Sequence, residues 1–272
     1  MSEPAITVGY WGIRGLGAPL RMMMMYSKVP FKCECHDIMD KQGGGFECPS
    51  WFAVRKPELK AKAPLVNLPY VIDGDKVISQ TNACFSYLGR KLGLWGDDDE
   101  QASMCEQLLC EIMDLRNKMT GFAYSPCSDS ETVKANALKL LADVTDPSPM
   151  GRGILQKLDL CLAANKASGG CFFVSSHATA PDFHAWEMLD QFSMLAEHMG
   201  WNDGAHLLDA FPHLAAFHKK FAELPQNNAY LTSPFHSKMP FNNSMAVFGA
   251  TPSFTPYVPG QECNWRNLSG VY

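Results

Sequence analysis

The first 38 residues read as strand, glycine turn, helix and strand, and this order constrains the fold more than any other feature of the chain. Ala5 to Tyr10 form a strand and Gly12 to Gly17 a turn. From Ala18 to Ser27 the spacing of Leu20, Met23, Met24 and Tyr26 suits an amphipathic helix, and Phe31 to Ile38 alternates as a second strand. A crossover helix between two strands makes them parallel members of one sheet. Met22 to Met25, broken from longer apolar runs by Arg21 and Lys28, are expected to be the core face of that helix, being too short to span a bilayer.

A long irregular stretch follows, from Met39 to about Val66. It contains Gly43-Gly44-Gly45, Trp51 and the pair Arg55-Lys56, and a loop of that length inside a compact domain usually either has a function or is disordered. Pro69-Tyr70-Val71-Ile72 and Lys76-Val77-Ile78 flank Asp73-Gly74, a strong hairpin signal. A helix begins at Thr81, with Cys84, Tyr87 and Leu88 on one face, and ends near Gly93. Asp97-Asp98-Asp99-Glu100 then reads as the solvated start of another helix, where negative charge is favourable. The pattern is helical from there to about Phe221, with a capping box at Thr179 and Asp182. The expected organisation is an α/β domain at 1–93, a linker at 94–101, an all-α domain at 102–249 and an irregular extension at 250–272. This order alone does not name a function.

The net charge is -5 and Lys and Arg never gather into a stripe, so nucleic acid is not expected as a partner. Met1 to Pro4 lack a basic region and a long apolar run, so no secretory signal is read. The ten cysteines are therefore expected to be reduced thiols in the cytoplasm. Cys33, Cys35 and His36 do not make a metal site on this reading, because alternation puts the two cysteines on one face of a strand and the histidine on the other. Gly12, Gly15 and Gly17 lack dinucleotide-binding spacing. The eight histidines show no pairing with a serine elbow.

Four ordered blocks carry a family likeness: Gly9-Tyr10-Trp11-Gly12-Ile13-Arg14-Gly15-Leu16, Asn67-Leu68-Pro69-Tyr70-Val71-Ile72-Asp73-Gly74, Gln80-Thr81-Asn82-Ala83, and Asp209-Ala210-Phe211-Pro212. With Ser244 to Gly249 behind them, the chain resembles the cytosolic glutathione S-transferases, and the mu class most closely, over about residues 6–249. The resemblance implies a thioredoxin-like N-terminal domain and an all-helical C-terminal domain, glutathione as cosubstrate, no metal, and a homodimer.

It also implies a role for each matched position. Tyr10 falls on the thiol-activating tyrosine, and Trp11 and Leu16 on positions lining the glutathione site. Asn67 opens the block in which Leu68 pairs through its backbone with the cysteinyl amide and Pro69 is cis. Gln80 and Thr81 hold the γ-glutamyl end. Trp51 matches a family tryptophan, and Arg55 lies where the family has a lysine for the glycyl carboxylate. Asp114 aligns with the acid that reaches the neighbouring subunit's glutathione, and Tyr124 with a second tyrosine that assists some electrophilic substrates.

These roles make physical sense. A free thiol, with a pKa of about 8.5, is only a few per cent ionised at neutral pH, and the thiolate is the nucleophile. Lowering that pKa by two units requires about 2.7 kcal/mol. One phenolic donor to an ionised group supplies roughly 1.5–3 kcal/mol. Thr81, at a predicted helix start, stands beside unpaired backbone N–H groups that suit a carboxylate. Residue chemistry alone favours a trans bond before Pro69, so the cis geometry comes from the resemblance.

The chain also departs from the family. Cys48 stands where a further arginine is expected, the Trp51–Asn67 spacing is longer, and Leu65 occupies the place of an aromatic dimer key. Altered glutathione contacts and a weaker or differently packed dimer are the expectations. Two other functions fit the same scaffold: a glutathione-dependent isomerase or lyase, and a non-catalytic, crystallin-like or ligand-carrying relative.

Overall fold

The computed structural model describes residues 5–127, 129–148 and 153–272. The stretch Met1–Pro4, from which no signal is read, lies outside the described residues. The described chain divides into two compact units, Met1–Leu88 with Gln226–Tyr272, and Gly89–Pro225.

The first unit opens as its sequence order requires. Strand β1 (Ile6–Trp11) leads into helix α1 (Gly17–Tyr26), which returns to β2 (Phe31–His36), and β1 and β2 pair in parallel. The hairpin β5 (Tyr70–Asp73) and β6 (Lys76–Ser79) turns at Gly74, whose φ of 58° is one that glycine adopts without a steric cost. Strand β5 lies antiparallel to β1. Helix α3 (Thr81–Leu92) leaves the hairpin and carries the chain into the second unit.

Helix α1 corrects the amphipathic expectation. Met22, Met23 and Met24 are buried, and so is Arg21, so no polar stripe is left to water along Gly17–Met24. The loop at 39–66 is also more ordered than expected. It holds a two-stranded hairpin, β3 (Met39–Asp40) with β4 (Phe46–Glu47), then a π-helical segment, Ser50–Arg55, running into helix α2 (Lys56–Lys60).

The domain limits need correction too. Residues 226–249, expected in the helical half, belong to the first unit, where helices α9 (Asn228–Leu231) and α10 (Pro234–Ser237) pack against α1. The extension follows them. It ends in a strand, β7 (Gly270–Val271), that pairs antiparallel with β2 and completes the sheet order β6-β5-β1-β2-β7. The open edge of β2 has backbone groups to satisfy, and the tail satisfies them. Its irregular part is anchored as well. Tyr257 Oη and the Gly260 N–H both donate to Asp40 Oδ2 at 2.7 Å, and the Asn267 N–H donates to Asp37 Oδ2 at 3.0 Å.

The second unit is helical: α4 (Asp99–Ala123), α5 (Ser130–Thr145), α6 (Ile154–Ala164), α7 (Ala180–Met199) and α8 (Pro212–Ala222). Asp98 caps α4 by accepting from the Gln101 N–H at 2.8 Å. The expected box at the start of α7 is present: the Asp182 carboxylate accepts from both the Thr179 N–H and its hydroxyl at 2.7 Å. All ten cysteines carry free thiols.

Candidate active site

Tyr10 sits one residue from the end of β1, with its ring directed toward the start of α1. Ideal Cβ atoms built on Gly15 and Gly17 would lie 2.8 Å from Tyr10 Cε1 and 2.7 Å from its Cδ1, so both glycines are there to admit the ring. Gly15 also takes φ +38°, which favours glycine independently. The Gly15 position reaches the phenolic end of the ring, with Tyr10 Oη 3.0 Å from the same ideal Cβ.

The turn that holds Tyr10 is fixed from two directions. Arg14 and Gly15 donate their N–H groups to the carbonyls of Pro240 and Phe241 at 2.8 and 3.1 Å. From the α1 side, Arg21 donates to Trp11 O at 3.0 Å and Ile13 O at 2.9 Å. Sequence reasoning missed Arg21; the available signal was a single cation set beside a run of buried methionines. Trp11 is half-buried with its ring 6.1 Å from Phe52, and Leu16 is half-buried immediately before α1.

The Leu68–Pro69 bond is cis and immediately precedes β5. Asn67 is exposed and Leu68 half-buried. Gln80, between β6 and α3, is exposed and has φ +74°, a left-handed conformation that costs a non-glycine residue about 1 kcal/mol. Its carbonyl accepts from the Cys84 N–H at 2.9 Å, which places Thr81 as the first helical residue. The opening N–H groups of a helix lack intrahelical partners and carry partial positive charge. This corner therefore suits a carboxylate.

Trp51 and Arg55 differ from expectation. The Trp51 ring is fully enclosed, stacked on Tyr70 at 5.7 Å and 13°, in a core cluster with Cys48, Leu59 and Val66. A ring enclosed on all sides presents no face to a ligand. The Arg55 guanidinium is taken up by carboxylates. Its Nε and Nη2 donate to the two Glu34 oxygens at 2.8 and 3.0 Å, and its Nη1 lies 2.9 Å from both Glu58 oxygens. Tyr70 Oη also donates to Glu34 and lies 3.1 Å from His36 Nε2, while His36 Nδ1 lies 3.3 Å from Ser50 Oγ. Burial works to raise the Glu34 carboxyl, but the Tyr70 hydrogen bond and the Arg55 charge outweigh it and hold the group below its ordinary range. Burial brings His36 down to about 4, against the pull of Glu34, so the imidazole is neutral at neutral pH.

Cys33 and Cys35 share one face of β2 with their sulfurs 3.6 Å apart, while His36 faces Trp51 and Tyr70 on the other. Among the described residues, no three His, Cys, Asp or Glu side chains form a metal-binding group.

Ten of the expected site residues thus lie in the first unit: Tyr10, Trp11, Leu16, Trp51, Arg55, Asn67, Leu68, Pro69, Gln80 and Thr81. Asp114 and Tyr124 lie in the second. Asp114 is exposed on α4, and Tyr124 is half-buried at the C-terminal end of that helix, where its N–H donates to Thr120 O at 3.1 Å.

A parallel β-α-β unit, an antiparallel hairpin entered through a cis proline, and a following helical unit define a thioredoxin-like domain with an all-helical companion. The comparisons with known proteins agree. Residues 46–90 match the glutathione S-transferase N-terminal domain and residues 113–234 the glutathione S-transferase C-terminal domain. Glutathione S-transferase Mu 1 of Oryctolagus cuniculus is 31% identical over 86% of this chain and 94% of its own length. Glutathione S-transferase Mu 3 of Homo sapiens is 29% identical over 92% and 98%. Among solved structures, the Onchocerca volvulus Pi-class glutathione S-transferase shares the fold, with a TM-score of 0.65 and 23% identity over 89% of this chain and 99% of that one. The chain belongs to the glutathione S-transferase family, and its matched relatives include several of the mu class.

Proposed function

We propose that the protein is a glutathione transferase that joins the thiolate of glutathione to electrophilic, hydrophobic small molecules, as a cytoplasmic homodimer in detoxification. The observation that carries this reading is the Tyr10 phenol held against Gly15 at the head of α1, in a turn tied down by Arg21.

In this reading the tyrosine hydroxyl donates to the glutathione sulfur. One such bond to an ionised group contributes roughly 1.5–3 kcal/mol, most of the stabilisation needed to ionise the thiol at neutral pH. Gln80 and Thr81 receive the γ-glutamyl end at the start of α3, where the helix dipole favours its carboxylate. The Leu68 backbone pairs with the cysteinyl amide, beside Asn67 and Pro69, and Trp11 and Leu16 wall the site. The thiolate then attacks the electrophilic carbon, forming the C–S bond. Tyr124 hydrogen-bonds negative charge developing on the electrophile, and Asp114 serves the neighbouring subunit's glutathione. Leu65, 79% exposed, stands at the position of the dimer key, where a leucine offers a smaller anchor than an aromatic ring.

The test is conjugation of glutathione to 1-chloro-2,4-dinitrobenzene by wild type and Tyr10→Phe. The expected result is a fall in kcat of about 10- to 100-fold with little change in the glutathione KM. Failure of the wild type to conjugate this and other small electrophiles would leave the fold without the activity.

A further inference from the structure

The Arg55 guanidinium is already occupied. Three of its nitrogens are committed to Glu34 and Glu58 through four contacts of 2.8 to 3.0 Å. Glu34 is in turn held by Tyr70 Oη and by Lys32 Nζ at 3.2 Å, and its carboxyl stays ionised through the neutral range. Nor is Glu34 free to swing away. Tyr70 is pinned by Trp51 on its face and by Gly9, where even an added methyl would strike the Tyr70 ring. Two cations, Arg55 and Lys32, thus meet two anions, Glu34 and Glu58, and the cluster is neutral.

An incoming carboxylate that takes the paired Nε and Nη2 donors would have to displace Glu34, whereas displacing the exposed Glu58 opens only Nη1. Displacing Glu34 would leave a carboxylate with only 14% of its side chain exposed facing a second anion and short of a partner, and breaking such a pair is strongly unfavourable. The neighbouring cation, Lys56, has its ammonium over the Trp51 and Phe52 rings, 5.7 and 5.8 Å from their centroids, and is a single point charge without the fork of an arginine. Cys48 is buried in the core cluster, and the Trp51 indole is enclosed.

Resting on the transferase reading above, we infer that this chain does not read the C-terminal carboxylate of its thiol substrate through Arg55. It selects instead for the γ-glutamyl-cysteinyl portion, and accepts thiols whose glycyl carboxyl is esterified, amidated or otherwise uncharged as well as it accepts glutathione. Glu34 is then the residue that determines specificity, acting through Arg55 as an internal occupant of the carboxylate position.

The experiment compares glutathione with its glycyl monoethyl ester as cosubstrate, in wild type and in Glu34→Gln. Wild type is expected to show KM values for the two thiols within about threefold of each other. Glu34→Gln frees part of the Arg55 fork, so glutathione should improve about tenfold while the ester stays unchanged. A wild-type preference of tenfold or more for the free acid, lost in Arg55→Met, would overturn the inference and leave the transferase reading standing. Conjugation of neither thiol would overturn both. Should Glu34→Gln fail to fold, the wild-type ratio decides on its own.

Discussion

Arg21 Nη2 donates to the carbonyl oxygen of Trp11 at 3.0 Å, and the guanidinium that makes this bond is fully buried beneath the turn carrying Tyr10. The same group binds Ile13 O at 2.9 Å and lies 5.3 Å from the Phe235 ring. A buried cation is costly unless its donors are used, and here they brace the two residues flanking Gly12. Arg21→Met keeps much of the volume but leaves two carbonyls unsatisfied, at a cost of roughly 3 kcal/mol. Thermal unfolding should show a Tm lower by roughly 6–12 °C. Arg21→Lys, which keeps the charge without the fork, should recover only part of it.

Gly15→Ala tests the packing around the phenol. Its methyl would fall 2.8 Å from Tyr10 Cε1 in a backbone conformation that alanine disfavours. Overpacking of this kind costs about 1–3 kcal/mol, and the ring cannot relieve it without moving its hydroxyl. The expected outcome is a kcat reduced at least tenfold with a melting temperature only a few degrees lower. Unchanged kcat would show that the hydroxyl position does not matter.

His184 sets a pH dependence. Burial, with Arg116 adding to it, lowers the imidazole to about 3, against about 6.5 in the unfolded chain. Between those values the unfolded state binds the extra proton, so stability is intact above about pH 6.5 and falls as pH drops toward 3. The slope is at most about 1.4 kcal/mol per pH unit. Asp182, which burial raises to about 6, opposes it, because its folded carboxyl protonates first. The difference between wild type and His184→Gln removes that opposing contribution. Chemical denaturation from pH 7 to 4 should give a shallower acid-side loss in the variant, and parallel curves would contradict the assignment.

The tail makes a further prediction. Strand β7 pairs with Lys32 and Cys33, and Ser269 Oγ accepts from the Cys35 N–H at 2.9 Å, so the tail's end covers the thiol pair. The hydrogen bond with Cys35 and the Arg21 charge together outweigh burial and lower the Cys33 thiol below its ordinary range. Deleting Leu268–Tyr272 should raise the rate at which a thiol-specific chromogenic disulfide labels these two cysteines at least tenfold. Comparison with Cys33→Ser separates them from the exposed Cys110. An unchanged rate would mean that the tail's end does not protect them.

Much of this architecture was legible because it is written locally. The β-α-β opening, the Asp73-Gly74 turn and the Thr179–Asp182 box each lie within a window of a few residues whose pattern has one physical reading. What escaped lacks such a window. Strands β3, β4 and β7 span two residues each, too few to alternate. The return of residues 226–272 to the first unit depends on partners more than 200 residues away in sequence, such as Ser269 on Cys35.

The site divides in the same way. Tyr10 and its glycines, and Gln80 with Thr81, stand in local motifs. Arg55 reads in the sequence as an available cation, but its partner Glu34 stands 21 residues earlier, beyond any local window. Arg21 reads in the sequence only as a charge that interrupts an apolar run, because nothing in a sequence marks a guanidinium that finds backbone carbonyls.

The most direct test of the account is an absorbance titration of the thiolate of bound glutathione across pH, in wild type and in Tyr10→Phe. The account predicts a thiol pKa about two units below its free value in wild type, rising by one to two units in the variant, as the loss of one donor to an ionised group requires. Glutathione bound with an unshifted pKa in wild type, or a depressed pKa that survives in Tyr10→Phe, would contradict it.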